Sequence, residues 1–116
     1  MKYFCTETER KASKSTCYFE FQKGRHKGKH WLEDSISIHD DLLSDEIYQI
    51  LVAAIPQFDP FGITEVTMEQ WQQVKSRAEA IGGETLVAVM EIEDWVRKCF
   101  EEESVFTICG IYGGMG

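Results

Sequence analysis

The sequence has no apolar stretch long enough to cross a membrane and no hydrophobic leader. Its longest apolar run covers residues 50–55, far short of the roughly 18 residues that span a bilayer, and is typical of a core helix. The first ten residues contain no hydrophobic segment of the kind found in signal peptides. We therefore expect a cytoplasmic protein with no membrane partner.

Paired cysteines are also missing. None of the four cysteines (Cys5, Cys17, Cys99 and Cys109) forms a C-x-x-C pair, which argues against zinc binding and against thioredoxin-type redox chemistry. In a cytoplasmic protein we expect all four to be reduced thiols. Cys17, Cys99 and Cys109 lie in apolar or aromatic runs, so we expect them to be buried as small hydrophobic residues.

Basic residues are few and unevenly placed. Twelve Lys and Arg oppose twenty Asp and Glu, for a net charge of −8. Residues 1–31 hold eight basic and three acidic residues, whereas residues 32–116 hold four basic and seventeen acidic residues. The molecule is thus predicted to have a small basic pole and a large acidic one. An acidic surface favours basic partners and disfavours nucleic acid, whose affinity depends on phosphate contacts.

The basic stretch G-R-H-K-G-K-H-W at residues 24–31 admits several interpretations. His26 and His30 have the spacing of two zinc ligands on a helix, but the two glycines predict a turn and no H-E-x-x-H glutamate is present. The surrounding cationic residues would also repel a metal ion, so we expect no metal and no cofactor. The favoured interpretation is a basic hairpin turn over residues 23–29, anchored by Trp31.

The periodicity of apolar residues predicts a strand-rich segment at residues 1–39. Short strands are expected near residues 3–6, 17–21 and 32–38. The polar residues 9–16 between the first two strands lack periodicity and are expected to form a loop.

Residues 40–103 are predicted to be helical and residues 104–112 to form a C-terminal strand. One helix begins at an N-cap, Ser44, and ends before Pro56. A second begins at the capping box of Thr67 and Gln70, and a third runs from residue 85 to about residue 102. Residues 63–66 are expected to be extended. The last strand is apolar on both faces, so it is expected to insert into the sheet.

These elements predict an α+β fold in a single domain, residues 1–116. The order β-β-β-α-α-α-β indicates one antiparallel or mixed sheet of about four strands, with three helices packed mainly on one face.

No pattern in the sequence predicts catalysis. His39 and a cysteine could form a nucleophilic pair, but no local motif connects them. Adjacent acids are frequent, yet they lie mostly at helix starts or on solvated helix faces, where they cap the helix and aid solubility. We therefore expect a protein that is not an enzyme and has no small-molecule substrate.

The stretch D-P-F-G-I-T-E-V-T-M-E-Q-W at residues 59–71, followed by the acidic E-I-E-D-W at 91–95 and a terminal strand, resembles a known class of protein. It is similar to the small immunity proteins of bacterial polymorphic toxin systems, of the contact-dependent growth inhibition type. The resemblance lies in size, acidity, the helix-opening T-x-E-Q-W and the α+β order. It implies a protein that binds the toxic C-terminal domain of a secreted effector, often a nuclease, and blocks its active site or substrate surface without a cofactor.

Two other functions are open on the sequence alone. One is a small regulatory or adaptor domain with a different protein partner. The other is an RNA-contacting module that uses residues 10–31, where Tyr18, Phe19 and Phe21 lie near Lys23 and Arg25, although no R-G-F-G-F-V-type motif occurs.

If the partner is a basic protein, its contacts are expected among acidic residues outside the predicted core stripes, because complementary charge speeds association and adds specificity. The residues expected to bind the partner are Asp40, Asp41, Asp59, Glu65, Glu91, Asp94, Glu101 and Glu102.

Overall fold

A computed structural model of the chain describes residues 1–111, and within them the strands form one five-stranded antiparallel sheet. Its spatial order is β1-β3-β2-β5-β4, and every neighbouring pair is antiparallel. The predicted α+β class is confirmed, with a fifth strand where the sequence suggested only an extended segment. The strands are β1 (Phe4–Thr6), β2 (Tyr18–Lys23), β3 (Ile36–His39), β4 (Ile63–Thr67) and β5 (Val105–Cys109).

The helices differ from the prediction at two places. The helices are α1 (Glu7–Ser13), α2 (Asp45–Ala54), α3 (Met68–Ile81), α4 (Gly83–Met90) and α5 (Glu93–Glu102), with a 3-10 turn at Asp40–Leu42. The loop predicted at residues 9–16 is partly wrong, because α1 occupies its first half. The single helix predicted from residue 85 to 102 is also wrong, because Ile92 leaves the helical region at φ −106° and ψ 7° and separates α4 from α5.

The predicted helix starts are confirmed at α2 and α3. The Ser44 hydroxyl accepts the Ile47 N–H, and Thr67 and Gln70 form a reciprocal capping box. Each side-chain oxygen satisfies a backbone N–H that has no partner inside its own helix.

One face of the sheet carries the apolar core. Phe106 of β5 lies at its centre with no exposed surface. The rings of Phe21, Trp71, Trp95 and Phe100 have their centroids between 5.6 and 6.0 Å from that of Phe106. Full burial of a side chain such as Phe106 contributes about 1.5–3 kcal/mol. Buried residues of α2–α5 belong to this core, as predicted for helices packed on one face.

The opposite face of the sheet is polar and is buried at β2, β3 and β5. Strand alternation directs Glu20 and Gln22 of β2, Ser37 of β3 and Thr107 of β5 away from the apolar core, yet none has any exposed surface. Residues 24–35 connect β2 to β3 and fold back over this face. The third strand predicted from residue 32 therefore begins only at Ile36, because residues 32–35 belong to this covering segment.

The last strand lies inside the sheet, as predicted. All residues of β5 are buried, and β2 and β4 pair with it on either side. Just beyond it, the Gly110 N–H donates to the Gly62 carbonyl (2.8 Å). A Cβ atom on Gly110 would lie 2.2 Å from the Pro60 carbonyl oxygen, so only glycine fits here. Residue 112, the end of the predicted strand, lies outside the described residues.

Two sequence-based expectations concern the cysteines and the membrane. Cys99 and Cys109 are buried as predicted, whereas Cys17 is exposed because β2 begins only at the following residue. Within residues 1–111, no helix combines the length and the apolar character needed to cross a bilayer.

Candidate functional site

The basic stretch at residues 24–31 brings both of its histidines onto the polar face of the sheet. Positive φ angles at Gly24, Gly28 and Trp31 turn the chain back over β2. His26 Nδ1 lies 3.0 Å from the Gln22 side-chain oxygen. His30 Nδ1 lies 3.7 Å from Glu20 Oε1. The basic side chains between the histidines are exposed.

Glu20 is a fully buried carboxylate held by three hydrogen bonds. Its Oε2 accepts from the Ser35 hydroxyl (2.6 Å) and the Leu32 N–H (3.0 Å), and its Oε1 accepts from the Gln22 amide (3.0 Å). Burying a charge is costly unless such partners are present. These bonds also fix the direction in which the carboxylate points.

Cys109 completes the cluster from the neighbouring strand. It is the cross-strand partner of Glu20, and its sulfur lies 3.8 Å from His26 Nδ1. Ligand atoms of Glu20, His30 and Cys109 all lie within 4.8 Å of one another. We call Glu20, His26, His30 and Cys109 the polar cluster.

The sulfur of Cys109 is not an activated nucleophile in this arrangement. Burial, and then the negative charge of Glu20, raise the pKa of the Cys109 thiol to about 12. Reactive cysteines instead have depressed pKa values and partial exposure. The polar cluster therefore offers ligand atoms, and its buried thiol lacks the exposure and the lowered pKa of a reactive cysteine.

The segment that covers the polar cluster is anchored by Trp31, as the sequence suggested. The Arg10 guanidinium lies 3.9 Å from the centroid of the Trp31 ring. It also donates to Glu7 (2.7 Å) and to the Ser15 carbonyl (2.9 Å). Arg10 is therefore engaged inside the molecule, and one basic residue of the predicted RNA-contacting stretch is buried.

Several of the predicted partner-binding acids have internal roles. The Glu91 carboxylate accepts the backbone N–H groups of residues 2–4 at 2.7–2.9 Å. Glu65 pairs with Arg25 (3.0 Å). Asp94 pairs with Arg97 (2.9 Å).

The remaining predicted acids do not form one surface. Asp59 lies in the connection between α2 and β4, where it accepts the Phe61 N–H (2.9 Å). Asp40 and Asp41 follow β3 at the end of the sheet where Tyr18 pairs with His39.

Glu101 and Glu102 end α5, just before β5 and near the opposite end of β2, where Lys23 pairs with Phe106. The structure therefore separates these two predicted acids from Asp40 and Asp41 by the length of β2.

An acidic groove lies where α5 meets the segment that covers the sheet. The Trp95 indole N–H donates to the Asp34 carbonyl (2.9 Å) and brings the two together. Lys23 and Lys27 also line this groove. We define the acidic groove by its four acidic residues, which are Glu33, Asp34, Glu102 and Glu103. Of these, only Glu102 was among the predicted contacts. Glu33 and Asp34 become neighbours of α5 only through the fold.

Comparisons with protein-family models, with curated proteins and with solved structures found no match to this chain.

Proposed function

We propose that this chain is an immunity protein that acts in the bacterial cytoplasm, where it binds and neutralises a cognate toxin domain. The toxin is proposed to be a basic nuclease domain whose active site or substrate surface is covered on binding. The observation that carries the proposal is the acidic groove, in which four acidic side chains from two separate segments lie together. The resemblance of the sequence to small immunity proteins, in size, acidity and element order, supports the same function.

The charge distribution suits a basic partner. Most of the twenty acidic residues are exposed. Nuclease domains carry basic surfaces because they hold phosphates. An acidic inhibitor gains electrostatic steering toward such a surface and repels acidic competitors.

The positions of the basic residues favour a protein partner over RNA. Arg10 is buried against Trp31, and Arg25 is paired with Glu65. Lys23 and Lys27 lie in the groove beside acidic side chains, which weaken the attraction of phosphates. An adaptor domain would use the same acidic surface. The identity of the partner, a toxin or another protein, therefore distinguishes the two functions.

The test is co-expression with the C-terminal domain of a secreted protein encoded beside this gene. We expect cells that make both proteins to survive and the two chains to co-purify, with an association rate that falls as salt rises. Death of the co-expressing cells, or failure of the chains to associate, would contradict the proposal.

A matched pair of double variants tests the acidic groove. Glu33→Lys with Glu102→Lys reverses two groove charges and should slow association at least about tenfold at low salt. Glu69→Lys with Glu79→Lys makes the same change in net charge on exposed positions of α3 and should have a much smaller effect. Equal rates for the two variants would exclude the groove as the contact surface.

A further inference from the structure

The polar cluster has the ligand set of a zinc site, and we propose that Glu20, His26, His30 and Cys109 bind one Zn²⁺ ion. Neither the proposed toxin partner nor the acidic groove is needed for this inference. It rests on residues from three segments that the fold brings together: β2, β5 and the covering residues 24–35.

Two distances within the polar cluster are close to those between neighbouring ligands of a tetrahedral site. Zinc binds imidazole nitrogen at about 2.0–2.1 Å and thiolate sulfur at about 2.3 Å, which places neighbouring ligand atoms roughly 3.3–3.8 Å apart. His30 Nδ1 lies 3.7 Å from Glu20 Oε1, and His26 Nδ1 lies 3.8 Å from the Cys109 sulfur. Small inward movements of the side chains would close the site.

His26 is the ligand that must move most. Glu20, His30 and Cys109 already form a group with all ligand atoms within 4.8 Å, whereas His26 Nδ1 faces the Gln22 side-chain oxygen at 3.0 Å. Its ring lies 5.3 Å from that of His30, centroid to centroid. Zinc binding by His26 therefore requires rotation of this half-buried side chain, which would break its contact with Gln22.

The ligand types and their charge select zinc. Thiolate and imidazole together suit Zn²⁺, and a carboxylate can complete the site, whereas Mg²⁺ and Ca²⁺ prefer oxygen ligands. The carboxylate of Glu20 and the thiolate of Cys109 together balance the two positive charges of the ion. Binding releases the thiol proton of Cys109 to solvent.

A shell of hydrogen bonds already orients the ligands. Ser35 and Leu32 hold one oxygen of Glu20. The Gln22 amide donates to its other oxygen and also to the Lys29 carbonyl (2.8 Å). Such partners keep ligands in place and raise metal affinity.

Two of the exposed basic residues expected to repel a cation, Arg25 and Lys27, form contacts outside the polar cluster. Arg25 is directed to Glu65 of β4, and the Lys27 ammonium donates to the Lys23 carbonyl (3.1 Å). A bound zinc ion would link residues 24–35 to the sheet, because its ligands come from both. It would also fix the position of Glu33 and Asp34 on one side of the acidic groove.

The test is metal analysis of the full chain purified under reducing conditions. We expect one zinc per chain by elemental analysis. Replacement by Co²⁺ should give the intense visible bands of tetrahedral cobalt and a thiolate-to-cobalt charge-transfer band. Less than stoichiometric zinc after addition of excess metal and desalting, or an octahedral cobalt spectrum, would overturn the proposal.

Matched variants identify the ligands. Cys109→Ser should abolish the charge-transfer band, whereas Cys99→Ser, the same change at the other buried cysteine, should retain it. His30→Gln should weaken zinc binding at least about tenfold in competition with a chelator, because a ligand is lost. The side chain of His30 is 33% exposed, so this variant keeps the test valid if Cys109→Ser does not fold. Unchanged affinity in His30→Gln, or the same spectrum in both serine variants, would exclude the site.

Discussion

At the scale of single residues, Glu91 is a carboxylate that the fold uses internally. It accepts three backbone N–H groups from residues 2–4 and thereby ties β1 to the junction of α4 and α5. The sequence placed Glu91 among the partner-binding acids, because on a helical projection it lies opposite the apolar arc. Only the position of β1 shows that three backbone donors converge on it.

Glu91→Gln should lower the free energy of unfolding by about 1–2 kcal/mol, because hydrogen bonds to a charged acceptor are stronger than those to a neutral one. The measurement is chemical denaturation at neutral pH.

The control for this variant is Glu101→Gln at the exposed end of α5. It should change the free energy of unfolding by less than about 0.5 kcal/mol. Equal effects of the two substitutions would show that the Glu91 hydrogen bonds contribute little.

Glu20 and Cys109 show what pattern analysis can and cannot detect at this scale. The alternation in β2 places Glu20 on the face opposite Phe19 and Phe21, which the sequence shows. It does not show that this face is covered, nor that Glu20 lies beside Cys109, which is far away in the chain. For the same reason, metal binding by His26 and His30 could be assessed from the sequence only through the residues next to them in the chain.

At the scale of elements, α1 was missed although its start signal is in the sequence. Thr6 and Glu9 form a capping box with both hydrogen bonds present. The helix has only seven residues and lacks an apolar stripe, so no apolar periodicity in the sequence indicates it. Short helices depend on caps and tertiary contacts, here the contact of Arg10 with Trp31, more than on propensity.

The capping box of α1 makes stability depend on pH. The backbone N–H of Thr6, and then its hydroxyl, hold the pKa of Glu9 below its usual range. The unfolded chain therefore binds the proton more readily. This contribution to stability is present above the ordinary glutamate pKa of about 4.3 and is lost as pH falls through the lower folded-state value.

Glu9→Gln keeps the geometry of the capping box but removes the titration. The free energy of unfolding should therefore fall less between pH 7 and pH 3 in this variant than in the natural chain, as measured by denaturation across that range. Gln73→Ala, at an exposed position of α3, serves as the non-titrating control. The same pH dependence in Glu9→Gln and in the control would contradict the assignment.

The break between α4 and α5 had no signal that pattern analysis could use. No glycine or proline marks residues 90–93, and the apolar arc continues through Val89, Ile92 and Val96, all of which are buried. The chain bends there while its apolar residues remain on the core, so packing against the sheet sets the bend.

At the scale of the whole molecule, β5 is a central strand of the sheet and is buried on both faces. Its five residues pair with β2 and β4 and are all buried. Amides in such a position open only when the whole domain unfolds, whereas short peripheral elements open locally.

Amide hydrogen exchange should therefore be slowest in β5 and much faster in α1, as followed by mass spectrometry or NMR at neutral pH. Helix α3, which buries one side against the core, should have intermediate exchange and provides an internal reference. Protection in α1 equal to that in β5 would show that the domain opens as a single unit.

The distribution of charge over the molecule also differs from that along the chain. The sequence predicted a basic pole and a separate acidic one. In the structure Lys23 and Lys27 lie in the same groove as Glu33 and Glu102, because the covering segment folds against the end of α5. The basic segment thus borders the proposed contact surface.

The sequence by itself determined the α+β class, the starts of α2 and α3, the apolar face of the sheet and the buried last strand. These follow from periodicity and caps, which depend on residues close together in the chain. Only the tertiary structure decided the order of the strands, the covering of the polar face, the polar cluster and the acidic groove. Each of these depends on residues far apart in sequence, such as Glu20 with Cys109 and Asp34 with Trp95, and no local pattern records which distant segments meet.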